Sequence, residues 1–366
     1  MNVGVIGAGN IATSAHIPAI QSIPSLHISG IADLNEARVK KVARKFHIDN
    51  WYTDYMKLMN DDTIEIINLC TPPQLRLPVI QAAAEKSKHV FIEKPLALSV
   101  EEACAIRRTA NEHAILVTVV QNYRRFSSAV KAKERLSGGY LGNIVSMQGT
   151  ALTPHPANQS KALHYYHPGG VLFDFGPHII DMLLWLNGST VNEVFAYGGD
   201  FTGNMGFVNY SQILLKFENK AVAVADLSWM TAIEGMRFTV NIHGTGGHIL
   251  LDVRNESYIE FHGVLTPIDD ALKSLNRAVG TSKGALTGSY FTRPFQPYHD
   301  LILDFIASIQ EHRKPAVSIE QAVMTTAVLE AAKKSIDENR SIQIESLFSS
   351  RDEFNSVRQS LRMEHQ

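Results

Sequence analysis

Residues 3–12 of the chain are Val3-Gly4-Val5-Ile6-Gly7-Ala8-Gly9-Asn10-Ile11-Ala12. The β-branched run predicts a buried strand, and the small residues after it have the spacing G-x-G-x-x-A. In this pattern Gly7 permits a tight turn, Gly9 lets the backbone and the N-terminus of the next helix approach a pyrophosphate, and Ala12 lets that helix pack closely on the strand. The stretch therefore predicts the strand, turn and helix that open a Rossmann dinucleotide-binding domain.

A carboxylate follows the second predicted strand at Asp33, 21 positions after Ala12. This is where a dinucleotide site is expected to place an acceptor for the ribose hydroxyls. A carboxylate there also repels a 2'-phosphate, and the next arginine is Arg38, so we predict NAD in preference to NADP. The alternative is that Asp33 only caps a turn before a helix that begins at Glu36.

The first third of the chain alternates strand-like runs with helical patterns. One such helix is expected from Leu77 to Lys86, and another begins at the capping box formed by Ser99 and Glu102. Alternating strands and helices predict an α/β domain with a doubly wound parallel sheet over residues 1–121. The predicted strands are Val3 to Ile6, Ile28 to Ala32, Ile64 to Leu69, Val90 to Ile92 and Ile115 to Val120.

Residues 122–348 have a different character, because strand-like runs now follow one another with tight turns between them. They predict an α+β domain built on a large, mainly antiparallel sheet, closed by helices from about Tyr298 to His312 and from the capping box of Ser318 and Gln321. The polar tail, residues 349–366, is expected to be loosely ordered. The predicted strands are Gln212 to Phe217, Ala221 to Leu227, Arg237 to His243 and His248 to Val253.

Composition excludes several classes of protein. Of 366 residues, 45% are hydrophobic and the formal net charge is −2, with no extended basic block, so nucleic acid is not an expected partner. The two cysteines, Cys70 and Cys104, form neither a disulfide framework nor a metal motif. No leader-like segment and no apolar run of about 18 residues is visible. We therefore expect a cytoplasmic protein with no metal and no membrane segment.

Two further segments carry a resemblance to a known family. They are Glu93-Lys94-Pro95, directly after a predicted strand, and the run from Gly169-Gly170 through Asp174, Gly176 and His178 to Asp181. In this order, after the N-terminal glycine motif, they resemble the Gfo/Idh/MocA oxidoreductases over nearly the whole chain. The resemblance implies NAD-dependent oxidation of a secondary hydroxyl of a sugar, sugar derivative or cyclitol. It also implies a homodimer or homotetramer assembled through the outer face of the second sheet.

By this resemblance, Lys94, Asp174 and His178 are the catalytic residues. Lys94 follows a parallel strand at the edge where ligands bind, and its ammonium suits an oxygen that becomes a carbonyl. His178 is suited to accept the hydroxyl proton. Asp174 is expected to orient the imidazole and favour its charged form. Two geometries stay open: Pro177 at the start of a helix, with Asp174 on the preceding turn, or Pro177 as a kink within one helix.

Other candidates border the same site. Tyr123 or Arg124 donates to substrate hydroxyls, or Arg124 instead forms a salt-bridged domain hinge. Polar rings from His155 to His167 are expected to line a polyol pocket. Where many relatives have Thr-Pro-Asn-x-x-His, this chain has Pro73 and Arg76, which leaves the contacts of those family residues in doubt. The full set of candidate cofactor-binding residues is Gly7, Gly9, Asn10, Ile11, Ala12, Asp33, Thr71, Pro72, Glu93 and Lys94.

Two alternatives to a dehydrogenase belong to other classes of protein. One is an NAD-binding regulator or sensor without turnover, which would have no need to keep Lys94, Asp174 and His178 together. The other is a glycosidase that uses transient oxidation to labilise a glycosidic bond, with tightly held NAD. The sequence does not exclude the second alternative.

Overall fold

The computed structural model describes residues 1–153, 169–203, 205–230, 236–262 and 295–364. Its first layer is a six-stranded parallel sheet in the order β3-β2-β1-β4-β5-β6, with helices in the crossovers. The strands are β1 (Asn2–Ile6), β2 (His27–Ala32), β3 (Trp51–Tyr52), β4 (Ile66–Leu69), β5 (His89–Ile92) and β6 (Val117–Val119). The helices are α1 (Ile17–Gln21), α2 (Glu36–Phe46), α3 (Met56–Met59), α4 (Arg76–Glu85) and α5 (Val100–Glu112).

The doubly wound parallel sheet predicted from the sequence is confirmed. All five predicted strands are present, and only the two-residue β3 has no counterpart among them. Ser99 caps α5, its side chain accepting a hydrogen bond from the Glu102 N–H at 3.2 Å. The strand order reverses between β1 and β4, which creates the crevice where doubly wound sheets bind ligands.

The second sheet has eight strands in the order β13-β12-β11-β7-β10-β9-β8-β14. Every described neighbour pair is antiparallel except β7 and β10, which run parallel with Val222 opposite Ser146. The predicted mainly antiparallel sheet is therefore confirmed. Its strands are β7 (Ile144–Leu152), β8 (Val191–Gly199), β9 (Tyr210–Phe217), β10 (Val222–Ser228), β11 (Arg237–Gly244), β12 (Gly247–Asp252), β13 (Ser257–His262) and β14 (Ile342–Gln343).

Strand β7 was not expected because small residues occupy two of the three buried positions on its inner face. A Cβ on Gly149 would lie 2.7 Å from the Ile179 side chain, and Ala151 is also buried. Met147 is the one large residue among the three buried positions of this strand, so the alternation of large apolar residues that predicts a half-buried strand is weak. The small residues admit the helix that carries His178, so packing and site geometry are linked here.

Six described helices pack on this sheet or connect it to the first domain. They are α6 (Ser127–Ser137), α7 (Val171–Asp174), α8 (Gly176–Asn187), α9 (Gln296–Gln310), α10 (Ile319–Glu338) and α11 (Arg351–Glu364). Helix α10 is capped by Ser318, as predicted, and packs on β8, α5 and α8. Helix α9 packs on the first sheet, where Leu301 and Phe305 share a core with Val5 and Ile31.

The predicted loose tail is wrong, because residues 351–364 form α11. Phe354, Val357 and Leu361 recur at helical spacing and are buried in the core of the second domain. The abundance of polar residues concealed this narrow apolar stripe. No helix among the described residues is long and apolar enough to cross a membrane.

Candidate active site

The glycine-rich turn after β1 has the geometry that its sequence predicts. Gly7 has a φ of +99°, and a Cβ there would lie 2.6 Å from the Cys70 carbonyl oxygen. A Cβ on Gly9 would meet no atom within 4 Å, so this face of the turn is open. Ala12 is fully buried. The backbone N–H groups that begin the helix thus face a space suited to a pyrophosphate.

Asp33 lies at the end of β2, where the sequence places it. Its Oδ2 atom accepts a hydrogen bond from the Ala8 N–H at 2.8 Å, which joins the glycine turn to the second strand. Its Oδ1 atom accepts from the Asn35 N–H, and Asn35 caps α2. The first turn of α2 also brings Arg38 back to Asp33, with Nη1 3.4 Å from Oδ2.

The loop after β4 adds a polar group to the same crevice. Thr71 precedes Pro72, and its hydroxyl oxygen is buried and, among the described residues, has no hydrogen-bond partner. An orphaned buried hydroxyl is costly unless a ligand satisfies it. Together with the open face at Gly9 and the carboxylate of Asp33, it fits a bound dinucleotide.

Lys94 follows β5 and points at the second domain. Its Nζ atom donates to both the carbonyl oxygen and the Oδ1 atom of Asp174, each at 2.9 Å. The lysine side chain is 11% exposed, and the carboxylate of Asp174 remains 25% exposed. A largely buried ammonium is thus held at the carboxyl edge of the parallel sheet by a residue 80 positions away in the chain.

Asp174 ends α7, which begins after the Gly169-Gly170 turn. Gly170 has a φ of +53°, and a side chain there would overlap the Val208 carbonyl. Pro177 lies in the first turn of the separate helix α8, so Asp174 belongs to the preceding turn. The first of the two geometries left open by the sequence is therefore the one observed.

His178 lies on the first turn of α8, beside Tyr123. Their rings meet edge to face with centroids 4.7 Å apart, and Tyr123 stacks on Phe238. Burial, together with the positive charge of Lys94, lowers the pKa of His178 well below its ordinary value. Its Nδ1 atom is buried without a hydrogen-bond partner in the described part of the chain. The imidazole is therefore neutral near pH 7.

The expected effect of Asp174 on His178 is wrong. Asp174 pairs with Lys94, and the net shift lowers the pKa of His178 instead of favouring its charged form. The first reason is that the imidazole is buried, and the second is that the ammonium of Lys94 pairs with the carboxylate and places its own charge near the ring. A neutral imidazole suits a proton acceptor better than a charged one.

A buried, hydrogen-bonded group of His16, Glu93 and Asn68 adjoins Lys94, and this group was not predicted from the sequence. His16, which is fully buried, contacts Glu93 Oε1 through Nε2 at 2.8 Å and Asn68 Oδ1 through Nδ1 at 2.9 Å. A π-helical turn over Ala12–His16 precedes α1 and ends at this histidine. Such turns are frequent at functional sites. Glu93 and His16 are 77 positions apart, so no local pattern could indicate their contact.

Arg124 forms a buried ion pair with a residue of the second domain. Its guanidinium donates to both carboxylate oxygens of Asp181, at 2.7 and 2.5 Å, and to Gln321 Oε1 at 2.7 Å. The residue is 4% exposed, and Asp181 is 2% exposed. The structure thus favours the salt-bridge alternative for Arg124, while Tyr123 lies beside His178.

Breaking this buried pair is expected to destabilise the fold. We expect Asp181→Asn to lower the free energy of unfolding by about 3 to 5 kcal/mol, because it leaves the Arg124 charge buried without its partner. Denaturant unfolding measures the loss. The matched control is Glu36→Gln, which removes an exposed pair with Lys40 and should cost less than about 1 kcal/mol. A stable Asp181→Asn protein that has lost activity would instead place Arg124 in the substrate site.

The polar rings from His155 to His167 lie outside the described residues. Within the described residues, no group of three or more His, Cys, Asp or Glu side chains could hold a metal ion.

Known proteins match the chain along most of its length. Residues 1–121 match a family described as "Oxidoreductase family, NAD-binding Rossmann fold", and residues 129–250 match the "GFO/IDH/MocA C-terminal domain". The oxidoreductase YrbE of Bacillus subtilis (strain 168) is 32% identical over 262 residues, 70% of this chain and 75% of YrbE. The chain belongs to the Gfo/Idh/MocA oxidoreductase family. It is an oxidoreductase with an NAD-binding Rossmann domain.

Other relatives of this Gfo/Idh/MocA oxidoreductase have named substrates. The myo-inositol 2-dehydrogenase of Thermotoga maritima is 27% identical over 354 residues, 94% of this chain and 99% of that enzyme. Among solved structures, levoglucosan dehydrogenase in complex with NADH has a TM-score of 0.79 at 22% identity, with 94% of this chain and 99% of that chain covered. At this identity the structural match shows the shared fold.

Proposed function

We propose that the protein catalyses NAD-dependent oxidation of a secondary hydroxyl of a sugar, sugar derivative or cyclitol. The observation that carries the proposal is the contact between Lys94 and Asp174 beside a neutral His178, at the carboxyl edge of the dinucleotide-binding sheet. Ammonium, carboxylate and imidazole together supply what alcohol oxidation requires of a protein: a donor to the reacting oxygen and an acceptor for its proton.

Each of the three side chains has a separate role in the proposed reaction. An imidazole nitrogen of His178 accepts the hydroxyl proton, which it can do because the ring is neutral. Lys94 Nζ donates to the substrate oxygen as that oxygen becomes a carbonyl, and Asp174 holds the ammonium in place at 2.9 Å. When bound, NAD supplies the hydride acceptor. The residues proposed to surround the bound NAD are Gly7, Gly9, Asn10, Ile11, Ala12, Asp33, Thr71, Pro72, Glu93 and Lys94.

The names of the relatives support the substrate class. One is a myo-inositol 2-dehydrogenase and another is a levoglucosan dehydrogenase, so the relatives include enzymes named for a cyclitol and for an anhydrosugar. The proposed test is an absorbance assay for reduced nicotinamide, with wild-type protein, NAD and a panel of cyclitols, aldoses, sugar phosphates and nucleotide sugars. Reduction of NAD by a cyclitol or sugar is the expected result.

The same assay separates the two alternatives. Tight NAD binding without any reduced nicotinamide across the panel would indicate a regulator or sensor. Release of a sugar from a glycoside without net formation of NADH would indicate a glycosidase that acts through transient oxidation. No described contact favours either of these over the dehydrogenase.

Asp33 and Arg38 make the choice between NAD and NADP testable. One relative is named an NADP-dependent scyllo-inositol 2-dehydrogenase, and Arg38 lies beside Asp33 here. We propose that the carboxylate sets the preference for NAD by repelling a 2'-phosphate. Asp33→Ser should raise the NADP-to-NAD ratio of kcat/KM roughly tenfold, equivalent to about 1.4 kcal/mol, because Arg38 then faces the phosphate.

Steady-state kinetics with both cofactors measure this ratio. The control is Asp33→Ser combined with Arg38→Met, in which the gain for NADP should be smaller, because only the loss of carboxylate repulsion then remains. An unchanged ratio in Asp33→Ser would contradict the proposed role of the carboxylate.

We also propose that the protein forms a homodimer or homotetramer in the cytoplasm, through the outer face of the second sheet. This face carries an apolar strip across three strands, in which Leu214 lies between Phe195 and Val224. Tyr197, Leu214 and Val222 are among its exposed apolar residues. An apolar strip of this kind is typical of an interaction surface. We expect Leu214→Lys to reduce the mass measured by light scattering, with Lys216→Gln on the same strand as control. A monomeric wild-type protein would contradict the proposal.

A further inference from the structure

Both polar groups of the Lys94 backbone are held by buried ionic side chains. The Lys94 N–H donates to Glu93 Oε2 at 3.0 Å, and the Lys94 carbonyl oxygen accepts from Arg76 Nη2 at 3.0 Å. Glu93 is 7% exposed, and Arg76 is 1% exposed. The side chain that bears the ammonium therefore starts from a backbone fixed on both sides.

Glu93 is itself fixed by His16. Its second oxygen contacts the fully buried His16, whose other ring nitrogen contacts Asn68 at 2.9 Å. Burial alone would raise the pKa of Glu93, but the hydrogen bond and charge of His16 and the charges of Lys94 and Arg76 together lower it. Interactions with Cys70 and Glu93 likewise outweigh burial and raise the pKa of His16. A charged, hydrogen-bonded pair thus holds the Lys94 N–H.

Arg76 joins two strand ends. Besides the Lys94 carbonyl after β5, it donates to the Thr71 carbonyl after β4, at 3.3 Å. Arg76 is the first residue of α4, where the helix dipole disfavours a positive charge. Helix stability therefore does not account for a buried arginine at this position. Its hydrogen bonds instead connect the two loops that border the proposed dinucleotide site.

We propose that Arg76 and His16 are positioning residues for Lys94, with Arg76 acting through the Lys94 carbonyl and His16 through Glu93. This inference rests on the proposed function, since it concerns how the ammonium is aimed at the substrate oxygen. A displacement of about 1 Å at a reacting group can cost about 10²-fold in rate. Neither residue needs to touch substrate for its removal to slow the reaction.

The test compares Arg76→Gln and His16→Gln with a matched control, Arg107→Gln. Arg107 is also a buried arginine of the first domain, but it pairs with Glu320 and Ser356 away from Lys94. We expect kcat with the fastest substrate of the panel to fall about 10- to 10²-fold in both test variants. The affinity for NAD should change less than kcat, and the deuterium isotope effect on kcat should rise because hydride transfer becomes slower. Arg76→Lys should recover part of the rate.

A merely structural role predicts a different outcome. All variants, including Arg107→Gln, would then lose active protein in proportion to their loss of thermal stability, with no change in the isotope effect. That result would overturn the proposal.

A second measurement distinguishes failure of this positioning proposal from failure of the proposed function. If the wild-type protein oxidises nothing in the panel, the proposed function fails, but crystal structures of wild type and Arg76→Gln still test the positioning. The inference predicts that the contact between Lys94 Nζ and Asp174 Oδ1 is lost in the variant. An unchanged contact in Arg76→Gln would contradict it.

Discussion

Lys94→Ala is expected to lower kcat by about 10³-fold while leaving the affinity for NAD nearly unchanged. The ammonium donates to an oxygen on which charge changes during the reaction, and loss of one such preorganised donor costs about 10²- to 10³-fold. Here the loss is expected at the upper end of that range, because the variant also leaves the carboxylate of Asp174 without its cation. Steady-state kinetics and NAD titration by fluorescence measure the two quantities.

The matched control for this variant lies at the other end of the same sheet. Lys88 is also buried, and its ammonium donates to the carbonyl oxygens of Asp61 and Ile64, far from the carboxyl edge. Lys88→Met should destabilise the protein but leave kcat per folded molecule intact. Substantial turnover by Lys94→Ala with the true substrate would exclude the assigned role of the ammonium.

His178→Asn is expected to lower kcat by about 10²- to 10⁴-fold, the range for loss of a general base. His113→Asn, a change at an exposed histidine, is the control and should have no effect.

The pH dependence of the wild-type enzyme follows from the same residue. Burial and Lys94 lower the pKa of His178, so the imidazole stays neutral throughout the neutral range. The rate of oxidation should not fall as the pH drops through 6.5, the ordinary pKa of histidine, and should decline only at more acidic pH. A profile of kcat/KM against pH that loses half its value near 6.5 would show that His178 does not have this environment or this role.

Local motifs predicted the glycine turn and the position of Asp33 at the end of β2. The glycine turn, the strand before it and Asp33 lie within one contiguous unit of β1, α1 and β2, so spacing along the chain determines their geometry. The position of Lys94 is predictable for the same reason, since it directly follows a parallel strand. What spacing could not give is the contact of Arg38 with Asp33, which depends on how the first turn of α2 is placed.

Contacts between distant segments could not be read from the sequence. Asp174 contacts Lys94 because α7 lies against the carboxyl edge of the sheet, where β5 ends. His16 contacts Glu93 because β1 and β5 end at this same edge. The effect of Asp174 on His178 was mispredicted because Asp174 lies on the turn before α8 and pairs with Lys94, which their spacing of four residues could not show. Long-range packing, not local pattern, therefore determines which of these charged side chains pair and whether His178 is charged.

The most direct test of the proposed function is to follow the hydride itself. The wild-type protein is incubated with NAD and the best substrate of the panel, deuterated at the carbon that bears the reacting hydroxyl, and the reduced nicotinamide is analysed by mass spectrometry. We predict one deuterium in each reduced nicotinamide formed, and almost no reduced nicotinamide from Lys94→Ala. Formation of product with no deuterium in the nicotinamide would contradict direct oxidation at this site.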